Sequence, residues 1–245
     1  MSAITADHTH AAPTAAEFLG QNRGGGLFTE TVNQRLAAHL NVFAYRLDLP
    51  PTALSLVNLV LGLATSITVG LLGARMHAGT TPALVVGLAA LVGWQVAYTF
   101  DCADGQLARV TGKASLAGRR VDVLCDVALQ ICLVAAVGTV VHAYHPSVPM
   151  WLPVAFAGTW MVNLVTSELQ KGDAAQSLVT SRSLPVRVVK MIRDYGAVVT
   201  AIALVLAFLP SWTLAVVIAF TVVNGLFLFA SIASAVRASL RPKGN

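Results

Sequence analysis

Asp, Glu, Lys and Arg are missing from residues 49–74, 76–100, 127–167 and 195–236. A helix of about 20 apolar residues spans the hydrocarbon core of a bilayer. No water is available there to bond peptide groups, so uncharged runs of this length fold as helices, which satisfy their own backbone. The first two runs each suffice for one crossing. The last two are too long for one, and each carries a break, Tyr144-His145-Pro146-Ser147 and Pro210-Ser211, where proline ends a helix. Six spans result, near 52–73, 81–102, 118–142, 149–168, 192–209 and 212–235. With 56% hydrophobic and 11% charged residues, the composition excludes an ordinary soluble domain. The expected fold is all-α and integral to the membrane, a six-transmembrane-helix bundle.

The basic residues orient it. Of the sixteen Lys and Arg, fifteen fall on one side of the six spans and only Arg75 on the other. That asymmetry marks the fifteen-residue side as cytoplasmic, in the cell membrane, with both termini inside. The net charge of +5 is then a topology signal and an attraction to anionic lipid rather than a nucleic-acid surface. Cys102, Cys125 and Cys132 have no metal-ligand spacing and read as small apolar residues. Residues 1–26 contain no continuous apolar stretch, so no cleavable signal is expected, and they read as a mobile cytoplasmic tail.

From 27 to 48, Phe28, Val32, Leu36, Leu40, Phe43 and Leu47 recur at steps of four, four, four, three and four, which is one helical face. This segment is expected to be an amphipathic helix, either lying in the membrane interface or packed against the cytoplasmic ends of the bundle. The transmembrane domain then covers 49–237, and 238–245 form a second cytoplasmic tail.

Eleven acidic residues serve the whole chain, and four of them, Asp101, Asp104, Asp122 and Asp126, fall within 26 positions. The first two are i,i+3 at the end of the second span and the last two are i,i+4 at the start of the third. Each pair therefore projects from one helix face, and a short connection containing Gly112 lets the two faces meet. Four carboxylates beside hydrocarbon repel one another and cost about 2.5–3.5 kcal/mol each at a bilayer centre, less near its edge. Divalent cations are the natural compensation, and an all-oxygen set without His or Cys favours Mg²⁺ or Mn²⁺ over zinc. Gly105 and Ala108 share the stripe of the first pair and Gly118 that of the second. They leave a wall free of bulky side chains for a flat ligand, and Arg109 stands beside it able to pair with a phosphate.

Together these residues read D-x-x-D-G-x-x-A-R-x(8)-G-x(3)-D-x(3)-D from Asp101 to Asp126. This resembles the signature of the CDP-alcohol phosphatidyltransferases, and the six-helix plan after an interfacial helix is similar too. The resemblance implies that Asp101, Asp104, Asp122 and Asp126 hold two Mg²⁺ or Mn²⁺ ions, with Asp126 also the general base. It implies that Gly105, Ala108, Arg109 and Gly118 line the CDP pocket. A phosphate-linked group would pass from a CDP-linked lipid donor to an alcohol, releasing CMP, in phospholipid biosynthesis, and the enzyme would be a homodimer. One departure stands out: members of the family often open their first span with P-N-x-x-T, whereas this chain has Thr52 where an asparagine is common. Asn58, one turn on, could serve the nucleotide or could bond another helix.

For the acceptor, the polar connection after the fourth span offers Glu168, Lys171, Arg182, Arg187, Lys190, Arg193 and Asp194. Arg187 and Arg193 are the foremost, because a phosphorylated acceptor needs cations near the mouth. Asn163 and Asn224, inside spans, suit helix–helix bonding. The competing reading is a divalent-cation channel or transporter, which would need polar groups across the midplane rather than at one mouth. A non-catalytic assembly protein would give no reason for the aspartate spacing.

Overall fold

A computed structural model describes residues 12–22, 25–170 and 194–240. Among these residues there is helix and no strand. In chain order the helices are α1 (Ala15–Gly20), α2 (Leu27–Thr31), α3 (Asn33–Arg46), α4 (Pro51–His77), α5 (Ala83–Val110), α6 (Leu116–Tyr144), α7 (Trp151–Gln170), α8 (Tyr195–Phe208) and α9 (Thr213–Ser239), with a 3₁₀ turn at Pro210–Trp212 before α9.

Among the described residues, four helical stretches are long and apolar enough to cross a membrane: α4, α5, α6, and Pro210–Arg237, which is most of α9. The protein is integral to the membrane. The apolar part of α7, Trp151–Val162, and α8 are shorter. The fifth span expected over 192–209 appears as the 14 residues of α8, about 21 Å of helix against a hydrocarbon core of about 30 Å. Residues 171–193 before it lie outside the described part.

Local chemistry sets the ends of these helices. Pro51 occupies the first turn of α4, where a missing N–H costs nothing. That helix stops at Gly79, whose φ of +71° a side chain would resist. Between α5 and α6, Gly112 adopts φ +67° just after the last turn of α5, and Ser115 caps α6 by accepting from Gly118 N at 3.0 Å. The chain turns back at the place that the sequence leads one to expect, but α5 and α6 are not packed neighbours: each packs chiefly on α4, which holds both ends at the site. The break at His145-Pro146 also forms, and the His145 Nε2 atom sits 2.7 Å from the Ser211 carbonyl, tying the α6–α7 turn to the 3₁₀ turn.

One hydrophobic core, containing Val69, Trp94, Leu133, Val137, Val140, Trp160, Ile202 and Leu206, runs through the middle of the bundle. Gly87 lets α5 meet the main chain of α8 at Ala207, where a Cβ would collide. A second core of Phe18, Ala37, Ala38, Ala44, Leu54, Ala103 and Leu107 joins α1 and α3 to the site end of α4 and α5.

Two expectations change at the N-terminus. The amphipathic segment is two helices, broken at Val32. Its buried face is polar and small, with Asn33, Gln34, Ala37, Ala38, Asn41 and Ala44 turned inward, while Leu36, Phe43 and Leu47 of the apolar stripe are exposed. The segment packs on the bundle and still presents its apolar face outward. In place of a mobile tail, residues 12–22 contain α1, docked so tightly that Phe18 has 0% exposure.

Candidate active site

The last three turns of α5 carry Asp101 and Asp104, and the first three of α6 carry Asp122 and Asp126. Asp101, Asp122 and Asp126 each turn a carboxylate oxygen to a common point, all within 4.8 Å of one another. All three are half-buried. Asp104, the fourth member of the motif, is 6% exposed and accepts a hydrogen bond from Ser55 Oγ of α4. It stays close enough for the charges of Asp122 and Asp126 to act on it. Like charges gathered at this distance in a poorly solvated place repel strongly, and the oxygen-only donor set suits a hard divalent cation. The residues present therefore fit a metal centre.

A feature beyond the motif supports the carboxylates. Asn58 Nδ2 donates to Asp101 Oδ1 at 3.1 Å, so Ser55 and Asn58, i,i+3 on α4, face Asp104 and Asp101, i,i+3 on α5. Outer partners of this kind fix which oxygen lone pairs face a metal. The interhelical alternative is thus the role that Asn58 takes. Ser55 escaped the sequence reading, although a serine and an asparagine one turn apart on an apolar helix are a detectable polar stripe.

The donor-side candidates lie at the end of α5 and the start of α6. Gly105, Ala108 and Arg109 lie on the last two turns of α5, with Gly118 on the first turn of α6. A Cβ on Gly105 would lie 3.0 Å from Arg109 Nη1 and 3.4 Å from Nη2, which shows the guanidinium lying across this glycine. A Cβ on Gly118 would press to 3.2 Å on Ser115 Oγ, the cap of the same helix.

Sequence reasoning also missed a buried amide hub. Gln106, fully buried, donates to Asn22 Oδ1 at 2.8 Å and to the Gln34 carbonyl at 3.0 Å, and accepts from Asn41 Nδ2 at 3.2 Å. Asn41 Nδ2 in turn reaches the Ala103 carbonyl at 2.9 Å. Gln106 occupies an unspecified position of the motif, so its spacing carried no signal.

On the acceptor side the outcome is mixed. Arg187 and Arg193 lie outside the described residues, as do Lys171, Arg182 and Lys190. Asp194, read as an acceptor contact, has a structural role instead. It is 3% exposed, caps α8 at Ala197 N, and accepts from Thr29 N at 2.9 Å and from Thr29 Oγ. Tyr98 extends this cluster with its hydroxyl 3.2 Å from Thr29 Oγ, and Asn33 Nδ2 bonds Gln95 Oε1 nearby at 2.7 Å.

The family model of the CDP-alcohol phosphatidyltransferases matches residues 49–236. A search of curated proteins found no match.

Proposed function

Because the chain belongs to the CDP-alcohol phosphatidyltransferase family, a family of transferases in phospholipid synthesis, we propose that it moves a phosphate-linked group from a CDP-linked lipid donor to an alcohol and releases CMP. The observation that carries this reading is the approach of Asp101, Asp122 and Asp126 to within 4.8 Å inside the matched domain. In this reading Asp101, Asp104, Asp122 and Asp126 hold two Mg²⁺ or Mn²⁺ ions, with Asn58 and Ser55 orienting Asp101 and Asp104. When bound, the cations supply neutralisation of the diphosphate and a Lewis acid for the leaving CMP.

The protein's own part is to bind, orient and move one proton. Gly105, Ala108 and Gly118 let the CDP moiety approach the helix ends, and Arg109 pairs with its phosphates. The acceptor oxygen attacks the β-phosphorus, the bond from that phosphorus to the CMP oxygen breaks, and the hydroxyl proton passes to a carboxylate oxygen of Asp126. A carboxylate in this setting is a weak base, but the same positive field acidifies the hydroxyl that it serves. Arg187 and Arg193 remain the proposed acceptor contacts.

The fifteen-to-one distribution of basic residues supports a cytoplasmic mouth, six crossings, and α3 lying in the cytoplasmic interface. Single cysteines at Ser115 and His145 in a Cys-free background would then react with an impermeant maleimide from opposite faces. Labelling of the Ser115 site from outside intact cells would overturn the orientation. The reaction itself is tested by incubating purified protein with CDP-diacylglycerol, Mg²⁺ and a panel of alcohols, free and phosphorylated, while measuring CMP. Release that depends on one acceptor class supports the proposal, and no release with any acceptor counts against a diacylglycerol-linked donor.

A further inference from the structure

Residues 12–22 precede the matched domain, which begins at 49, yet they are built onto the end of α5 that carries the donor-side residues. Thr14 and Glu17 close a capping box, with Thr14 N donating to Glu17 Oε2 at 2.6 Å and Glu17 N donating to Thr14 Oγ1 at 3.3 Å. This fixes a helix otherwise too short to persist. Phe18 then inserts among Ala37, Ala38, Leu54, Ala103 and Leu107. Immediately after α1, two successive residues grip one face of α5. The Gln21 carbonyl accepts from Arg109 Nε at 2.8 Å, and Asn22 Oδ1 accepts from Gln106 Nε2 at 2.8 Å. Gln106 and Arg109 are i,i+3, so both bonds fall on one stripe.

Arg109 is thereby held at its neck. An arginine side chain carries enough rotamer freedom that ordering it weakens any ligand it must clamp. A guanidinium already fixed through Nε, with its terminal nitrogens across Gly105, is ordered before the ligand arrives. We propose that residues 12–22 are a positioning strap for the donor site: through the Gln21 carbonyl they hold Arg109 in the orientation that receives the donor diphosphate. The proposal rests on the reading of Arg109 as a CDP contact. An anchor of this sort serves ground state and transition state alike, so its loss raises KM for the donor and leaves kcat unchanged.

The test is calorimetric titration of CDP, with Mg²⁺, into the purified full chain and its variants, alongside donor KM and kcat. Deleting residues 1–22 is expected to raise the Kd for CDP about tenfold, the size of one lost hydrogen bond to a charged group. Phe18→Ala and Thr14→Ala, which loosen α1 without shortening the chain, give smaller rises in the same direction and serve if the deletion fails to fold. Phe18→Leu, which keeps the apolar anchor, restores affinity. The decisive arm repeats Phe18→Ala in an Arg109→Ala background, where no further loss is expected. Unchanged CDP affinity in Arg109→Ala alone would mean that the donor-site reading is at fault. A weakened Arg109→Ala with an unaffected Phe18→Ala, or losses that multiply in the double variant, would overturn the strap.

Discussion

Among the described residues, aspartate is drawn out of water in two places, and the surroundings differ. Asp194 stands alone between α2, α5 and α8, where its two oxygens accept from Thr29 N, Thr29 Oγ and Ala197 N. One carboxylate met by several donors is a joint. It caps a helix and fastens the N-terminal segment to the start of α8. Where α5 ends and α6 begins, Asp101, Asp122 and Asp126 instead aim at one another, while Ser55 and Asn58 support the motif from α4 with a single bond each to Asp104 and Asp101. Carboxylates arranged against carboxylates make sense when a cation belongs between them. The two places also differ in spacing: Asp194 and Thr29 are 165 residues apart, whereas the cluster comes from two successive helices.

Neutralising each carboxylate in turn should separate joint from site. The largest effect is expected at the cluster. Excess EDTA should abolish CMP release, and Asp122→Asn should cost several kcal/mol in transition-state stabilisation, roughly a thousandfold in kcat/KM, with a matching loss of metal affinity. Full activity in EDTA would erase the distinction drawn here. Asp126→Asn should lower turnover by ~10²–10⁴ while CDP binding changes less, so equal binding losses in the two variants would remove the special role of Asp126. Asp194→Asn should act on stability, at about 1.5–3 kcal/mol for weakened hydrogen bonds to a charged group, seen as a lower melting temperature with the Mg²⁺ dependence unmoved. Asn58→Ala should leave melting almost unaltered and raise the Mg²⁺ concentration needed for half-maximal activity about tenfold.

The smallest effect is a control on α1. Its Thr14 backbone N–H, more than the Thr14 hydroxyl, holds the Glu17 carboxyl below its ordinary 4.5. A depressed folded pKa gives stability that is complete above the unfolded value and is lost as pH falls through the folded one. Hydrogen exchange in α1 should therefore differ between wild type and Glu17→Gln near pH 7 and converge in acid.

What the sequence made legible follows the range of each interaction. The spacing of the aspartates and the turn at Gly112 lie within 26 residues, and charge-free runs depend on the bilayer, so both could be read directly, whereas the packing of α5 and α6 on α4 rather than on each other could not. The docking of residues 12–22 depends on Phe18 meeting Ala103 and on Asn22 meeting Gln106 from a segment of almost no intrinsic helicity. Asp194 was read from its charge and its place beside a basic segment, and only the approach of Thr29 across the whole fold shows it as a joint. Asn58 lay between these cases, with its polarity visible and its partner unknown until α4 met α5.

The joint between Thr29 and Asp194 also sets an order of manufacture. At ~5–20 residues per second of translation, the 165 residues that separate them take roughly ten to thirty seconds to synthesise. For the last 68 residues of that interval, from Asp126 to Asp194, all four aspartates are already made while α2 and α3 still lack their last tether. The nascent protein thus has its acidic residues in hand before its N-terminal helices can be fastened, and a ribosome stalled between Asp126 and Asp194 holds all four aspartates under an unlatched cover.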